Sequence, residues 1–454
     1  MKVHILSASP RMNSGFSIVA THLATGLKKL GYDVSYSGMQ TAYRPEFNSD
    51  IEILPMQVGF VDDMTQYMMT LNRIKPDIVL NIFQADYEYN EFSKLFKKCL
   101  WYVPIEGRNI PQGMANDLLQ VKMNGGDVVA QCNYGKQEIE LALAGLSIPV
   151  IYHGYDPEIY YPMNLDNKDD ISYCYYETDV GKSSTNPKIL CIQGCYNCKL
   201  PRNQQRSCEF FKEEQITVLK FVEKDGKWGE FNIKITELPE ITKGKTVFGF
   251  VGQNLGIRKR IERLLKAYSL FVGKSRQLKD RTILHMHCMP IATNGVDLIK
   301  VVRELGLNNN VIFSYGTYRS SGWSDNAMSI LYNTFEINIS ASSSEGFGLA
   351  IIESMACGKP NIGPMCSSFI ELIGNDYDPS KNRGLLANIG EWQMIENMSE
   401  RALVNEGDLA EKIKDIYTND KLRRIFSKNA TKWANNHTWN KKVEEWDKLL
   451  KGMT

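Results

Sequence analysis

Glu345 and Glu353 stand eight residues apart in the run ASSSEGFGLAIIESMACGKPNIGP, residues 341–364. Between them, Gly346 and Gly348 allow a tight turn and keep side chains away from the amides that open the next helical turn. Leu349 to Cys357 is a good helix former, and Gly358 followed by Lys359-Pro360 ends it. An anion has a seat at such a helix start, with a carboxylate on either side. At 1.5 Å per residue the two acids lie roughly 10 Å apart. That span suits a sugar at one end of a diphosphate and a ribose at the other. A Gly-Phe-Gly turn can also simply cap a helix. The polar serine run, the acid, the glycine turn, the apolar helix and the Gly-x-Pro exit together favour the binding role.

A diphosphate needs cations, and VFGFVGQNLGIRKRIERLLKAYSLF supplies two. Its pattern predicts a strand at 247–251, a loop, and a helix over 258–272 with Arg258 and Lys259 at its start. Two solvated basic residues on a helix read the same way, but cations at its start oppose the helix macrodipole, a local cost that often marks a site.

The elements that must position these groups follow from periodicity. The first ~160 residues alternate short apolar strands (3–6, 77–83, 100–105, 127–131 and 150–152) with amphipathic helices. The alternation restarts at Val247, with strands at 282–286, 311–314 and 337–340 and helices at 296–305 and 326–333. The pattern predicts an α/β chain of two Rossmann-like, doubly wound domains facing across a cleft. Residues 1–162 form the first domain and 246–432 the second. A final helical segment, 433–454, has Trp439 inside it. Residues 163–245 fit neither half: loop chemistry, then cysteines, then a hairpin-like pair (218–222 and 231–235) around Lys224-Asp225-Gly226.

The chain has 454 residues, too many for one ordinary domain, and 43% hydrophobic residues can build proper cores. A formal charge of +1 gives no general attraction to nucleic acid or anionic lipid. No apolar run reaches the ~18 residues needed for a transmembrane segment. The N-terminus MKVHILSASP reads as a first strand rather than a signal peptide, so a cytoplasmic protein is expected.

The stretch around Glu345 and Glu353 resembles the Glu-x7-Glu region of family-four retaining glycosyltransferases, the glycogen-synthase-like group with the GT-B fold. The resemblance implies that Glu345 contacts the donor sugar hydroxyls and Glu353 the ribose hydroxyls. It implies that Lys259 and Arg258 grip the diphosphate, helped by the amides of Phe347, Gly348 and Leu349. Relatives often place the Arg earlier, where this chain has Gln253. In RMNSGFSIVATHLATGLKKLGYDV the resemblance makes Gly15 the glycine that approaches donor and acceptor, although a helix N-cap explains the same residues. Glu106, at the end of the strand in YVPIEG, is either an acceptor contact or a salt-bridged loop acid. His153 lies at the domain hinge, where relatives carry Asn-Gly-x-Asp, and reads as structural; His285 and His287 read as strand core or edge. The last helix is expected to cross back onto the first domain. The implied activity is retaining transfer from a UDP-, GDP- or ADP-sugar to a glycan, lipid or protein acceptor, with no metal or other cofactor required for catalysis. A sugar-nucleotide epimerase of the same fold lacks the Glu-x7-Glu context. A non-catalytic nucleotide-sugar-binding or assembly protein is the other alternative.

The insert is the chain's clearest departure from that pattern. Cys191, Cys195, Cys198 and Cys208 fall within eighteen residues, with Cys174 upstream. Four thiolates so close could close a structural zinc site; ordinary loop thiols, or disulfides in an oxidising environment, use the same residues. Asp376-Tyr377-Asp378 has the Asp-x-Asp spacing of metal-dependent transferases of another fold, but its Gly/Asn/Pro/Ser surroundings read as turn chemistry.

Overall fold

The computed structural model describes residues 1–10, 14–39, 47–48, 51–56, 62–83, 98–166, 214–256, 258–315, 323–374, 378–395 and 398–453. Two twisted sheets organise them. The first sheet runs β3-β4-β2-β1-β5-β6-β7. Its strands are β1 (Lys2–Ala8), β2 (Asp33–Met39), β3 (Phe47–Asn48), β4 (Ile51–Met56), β5 (Ile78–Ile82), β6 (Cys99–Val103) and β7 (Asp127–Ala130). All neighbours pair in parallel except the short edge strand β3. Strands β5 and β6 are buried along their whole length, which is why, Asn81 aside, they read as apolar runs rather than alternating ones. The strand expected at 150–152 is reduced to a single bridge between Ala130 and Val150.

The second sheet runs β15-β14-β13-β10-β11-β12-β8-β9. Its strands are β8 (Gln215–Val222), β9 (Lys227–Lys234), β10 (Thr246–Val251), β11 (Thr282–His287), β12 (Val311–Tyr315), β13 (Ile337–Ile339), β14 (Asn361–Pro364) and β15 (Gly384–Ala387). The expected hairpin forms, turning on Gly226 in the left-handed region at φ 62°. It does not stand apart in an insert: β8 pairs antiparallel with β12 and extends the second sheet. Ile216 and Val218 enter the second domain's core. The grouping of 163–245 as one segment therefore divides, with 214–241 built into the second domain. Cys174, Cys191, Cys195, Cys198 and Cys208 lie outside the described residues, and so does the zinc reading built on them.

The last helix, Trp439–Gly452, packs Trp439, Val443, Trp446 and Leu450 into the core of the first sheet. A Cβ on Gly26 would meet Val443 Cγ2 at 2.3 Å, so glycine there lets two helices approach closely. The sequence pattern suggested continuous helix from 433, but the preceding helix ends at Ala434 and Thr438 starts the next. Trp439 is the first residue of the final helix rather than an interior one. Among the described residues no helix is long and apolar enough to cross a membrane.

A third element joins the halves. Strands β16 (Ile389–Met394) and β17 (Glu400–Val404) form an antiparallel hairpin after β15. Its Glu400 exchanges both backbone hydrogen bonds with Arg108 of the first domain, each 3.0 Å.

Candidate active site

Parallel sheets of this kind present ligands to the carboxyl ends of their strands, and the carboxyl end of β10 carries the cations. The expected helix over 258–272 begins only at Ile261. Arg260 precedes it in the left-handed region at φ 46°, a conformation that costs a non-glycine residue roughly 1–3 kcal/mol. Arg258 and Lys259 therefore sit in the turn before the helix, not on its first turn. The serine run fixes that turn. Ser343 donates its amide (2.8 Å) and its hydroxyl (3.0 Å) to the Arg258 carbonyl. The serines that looked like a polar approach to a ligand are buried supports for the cations.

Glu345 meets both cations. Lys259 Nζ donates to its Oε1 at 2.5 Å, and Arg258 Nη1 to its Oε2 at 2.9 Å. Burial by itself would raise this carboxyl, but Lys259 and then Arg258 outweigh it and hold it at about 2. Burial lowers the Lys259 ammonium, with Glu345 opposing. The Glu345 side chain keeps 12% exposure and Lys259 19%, so the pair is sheltered yet reachable from the cleft. A Cβ on Gly252, just past β10, would stand 3.6 Å from Lys259 Cε; the lysine lies over the strand end.

The glycine turn divides its work. Gly348, in the left-handed region at φ 110°, starts the helix Leu349–Ala356, whose first-turn amides have no partner within the helix. Gly346 has another reason to be glycine: a Cβ there would stand 2.4 Å from the Pro104 Cβ of the first domain. Its carbonyl accepts from Cys132 Sγ at 3.1 Å. Phe347 is fully buried, its ring 4.6 Å from that of His153 and 5.7 Å from Tyr152. Ser368 Oγ donates to the carbonyls of Glu345 and Phe347, and Ser367 Oγ accepts the Glu345 amide.

Glu353 lies on the helix beyond the turn, where Tyr332 donates its hydroxyl to Oε2 at 2.8 Å. Burial pushes this carboxyl up to about 8, Tyr332 opposing and Asp325 adding to the rise. The two acids are thus set in opposite states at neutral pH: Glu345 ionised between cations, Glu353 largely protonated.

From the first domain, Glu106 reaches Arg258 Nη1 at 3.3 Å and Arg401 Nη2 at 3.3 Å. Of the two readings of Glu106, the salt-bridged acid is the one observed. Gly15 opens the helix Gly15–Lys29 over the Ser14 cap, and a Cβ on it would stand 3.5 Å from Leu349 Cδ1. Gly15 is thus the first helical residue after the cap and the first domain's approach to the Glu-bearing helix.

His153 is buried, and burial lowers it to about 3. His285 and His287 share Ser314 Oγ at 2.9 and 3.0 Å, on the strand positions expected. Asp378 is in a turn and accepts the Ser380 amide at 3.0 Å, while Asp376 and Tyr377 lie outside the described residues. Among the described residues no group of His, Cys, Asp and Glu is arranged to hold a metal. The residues that sequence reasoning passed over are Arg401, Tyr332, Ser367, Ser368 and Glu371. They reach the site from three places, Arg401 from β17, Tyr332 from the helix Asp325–Thr334, and the other three from the start of the helix Phe369–Ile373, and no spacing marks them.

Residues 233–433 match the family of glycosyl transferases group 1. The serotype-specific mannosyltransferase WbdA of Escherichia coli is 26% identical over 193 residues, which are 42% of this chain and 21% of that protein. The chain spans between 19% and 24% of the length of the curated relatives it matches. Among solved structures, sucrose-phosphate synthase from Thermosynechococcus elongatus superposes with a TM-score of 0.64 at 14% identity, over 100% of this chain and 99% of that one. HepE of Anabaena, in complex with UDP and glucose, gives 0.62 at 14% identity over 100% of both chains. At that identity the superpositions show the fold. Residues 233–433 thus resemble the group 1 glycosyl transferases, and the chain as a whole has the GT-B fold of these structures.

Proposed function

We propose that the chain is a retaining glycosyltransferase that moves a sugar from a nucleotide-activated donor to a glycan, lipid or protein acceptor. One observation carries the reading. Glu345, Arg258 and Lys259 form a sheltered cluster at the carboxyl edge of the second sheet, beside a glycine-started helix and facing Glu106 of the other domain. Breaking a sugar–diphosphate bond leaves negative charge on the departing phosphate. Arg258, Lys259 and the amides at the start of Leu349–Ala356 answer that charge, and preorganised donors of this kind are the main source of rate in such steps. No step then calls for a metal. Glu345, released from the cations when the diphosphate arrives, turns to the sugar hydroxyls; Glu353 takes the ribose diol. In this scheme the acceptor hydroxyl attacks the face the diphosphate leaves, its proton passes to the departing diphosphate, and the anomeric configuration is kept. The group 1 match over 233–433 and the UDP bound by HepE support a nucleotide-sugar donor.

The test is a thermal-shift screen with UDP-, GDP- and ADP-sugars on the parent protein, Lys259→Ala and Glu345→Ala. One donor should stabilise the parent, Lys259→Ala should lose that shift, and slow release of free sugar should accompany binding. Unchanged shifts in both variants would sink the site. Binding without turnover would favour a non-catalytic protein.

A further inference from the structure

One nitrogen of Arg258 faces several acceptors at once. Its Nη1 has Glu345 Oε2 at 2.9 Å, the Ser344 carbonyl at 3.2 Å and Glu106 Oε1 at 3.3 Å. A terminal guanidinium nitrogen has fewer hydrogens than that to donate, and Glu106 stands farthest away. Arg401 restrains Glu106 from the other side. Its Nη2 lies 3.3 Å from Glu106 Oε2, and its Nε 3.4 Å from the Glu106 carbonyl oxygen. One planar guanidinium thus spans the side chain and the backbone of the same residue, a fixed fork that a point cation cannot supply.

Docking of the β16–β17 hairpin does not call for this side chain. On one side of it, Glu400 exchanges backbone hydrogen bonds with Arg108 and adds a side-chain pair at 2.6 Å. On the other, Ala402 donates its amide to the Ser343 carbonyl at 3.1 Å, and Ser343 in turn holds the Arg258 carbonyl. Residues 400 to 402 therefore touch the first domain, Glu106 and the Arg258 turn in succession. Nor do electrostatics favour the place for its own sake. The Arg401 side chain keeps 15% exposure; burial disfavours its charge, Glu106 favours it, and Arg258 and Arg260 repel it. A second guanidinium brought to a carboxylate that already has one is a local cost, and such costs gather at functional sites.

We infer, on the donor reading above, that Arg401 is a positioning residue of that site: it holds the Glu106 carboxylate in the first domain and so leaves Arg258 available to the donor diphosphate. With Arg401 in place, the negative charge of Glu106 is shared between two guanidiniums. Without it, Arg258 is the one cation paired with Glu106 among the described residues. An incoming diphosphate must then compete with two carboxylates, Glu345 and Glu106, drawn to the same Nη1. Arg401 acts on the donor through Glu106 alone.

The probes are UDP, GDP and ADP, titrated calorimetrically into the full chain at fixed pH and ionic strength, so that neither sugar nor acceptor enters. The proteins compared are the parent, Lys259→Ala, Arg401→Gln, Glu106→Gln and the Arg401→Gln/Glu106→Gln double variant. One diphosphate should bind the parent and be lost from Lys259→Ala, as the donor reading requires. Binding of none, or binding indifferent to Lys259, would sink that reading and this inference with it. With the diphosphate that binds, Arg401→Gln should weaken affinity about three- to tenfold and Glu106→Gln should strengthen it by a similar factor, couplings of the size found between charged neighbours. The double variant should bind like Glu106→Gln, because Arg401 then has no carboxylate to hold. A merely structural loss in Arg401→Gln would not be reversed by Glu106→Gln, and circular dichroism checks the fold. If Arg401→Gln weakens binding by the same factor with and without the Glu106 carboxylate, Arg401 acts by its charge alone; that result would overturn the assignment and leave the donor site intact. So would parent-like affinity in Arg401→Gln.

Discussion

Glu345 is bonded to Lys259 and Arg258 at 2.5 and 2.9 Å. Under the proposed function a donor diphosphate competes with this carboxylate for the same ammonium and guanidinium. Glu345→Gln is expected to tighten binding of the bare nucleoside diphosphate by about three- to tenfold, because a neutral partner competes less. The same change should lower transfer by on the order of 100-fold or more, through loss of the sugar contact. Calorimetry with the diphosphate separates the two effects; weaker binding in the variant would refute the competition. Glu353 gives a pH signature. Its folded pKa, about 8, lies above the ordinary carboxyl value. Its contribution to stability is complete below about pH 4.5 and is lost as pH rises through 8. A ribose diol donates to the ionised form, so diphosphate affinity should climb between pH 6 and 9. Glu353→Gln should flatten that profile; a parent profile already flat over this range would exclude the assigned state. The spacing of both acids could be read from the chain, but their opposite ionisation could not. It arises from Lys259, Arg258, Tyr332 and Asp325, which the fold brings in from two other segments.

At the level of elements, the strands and helices of both halves follow apolar periodicity closely, and the exceptions have local causes. The helix after β10 begins late because Arg260 takes a left-handed conformation. The final helix begins late because the chain turns at 435–438 before Thr438 caps it. Strands β8 and β9 were legible as a hairpin, yet nothing in their residues says which sheet they extend; that is decided by pairing to β12, far along the chain. The β16–β17 hairpin had no signal of its own. It matters because Arg401 reaches Glu106 from it, and because Gly107 lets it dock. Gly107 is in the left-handed region at φ 132°, and a Cβ there would stand 2.7 Å from the Glu400 carbonyl oxygen. Gly107→Ala should destabilise the fold by about 1–3 kcal/mol and raise the donor KM more than it lowers kcat. Denaturant unfolding and steady-state kinetics check both; an unchanged midpoint would mean the hairpin does not depend on that contact. The final helix is the opposite case, a packed element far from the chemistry. Trp446 is 1% exposed, with its ring edge-on to Tyr102 at 5.0 Å. Trp446→Ala is expected to cost about 3–5 kcal/mol, read from the same unfolding curves.

For the whole molecule, a set of polar contacts bridges the cleft beside the apolar packing of Phe347 on His153 and Tyr152. Glu106 joins Arg258 and Arg401, Cys132 meets Gly346, and Glu371 forms the most connected link. Its carboxylate accepts the amides of Asn133 and Tyr134, each at 3.0 Å, the Asn133 side chain at 3.1 Å and the Tyr152 hydroxyl. Those amides open the helix Asn133–Ala142 of the first domain, so a second-domain acid caps a first-domain helix, where negative charge is favoured. Glu371 is also two residues along from Phe369 and three from Ser368, which holds the turn bearing Glu345. Closing the cleft and setting the Glu345 turn are thus one structural event. Interfaces between domains of one chain commonly permit relative motion, and charge-assisted hydrogen bonds of about 1.5–3 kcal/mol each are enough to bias it. Glu371→Ala should shift the unliganded chain toward an open form, with a larger radius of gyration by small-angle scattering. Donor KM should rise several-fold, since part of the binding energy then goes into closing the cleft. Raising the salt concentration should expand the parent protein more than the variant, because only the parent has this charged link to screen. Scattering curves that superpose in the two proteins, at both salt concentrations, would show that the cleft is held by the remaining contacts and that Glu371 serves its own helix cap alone.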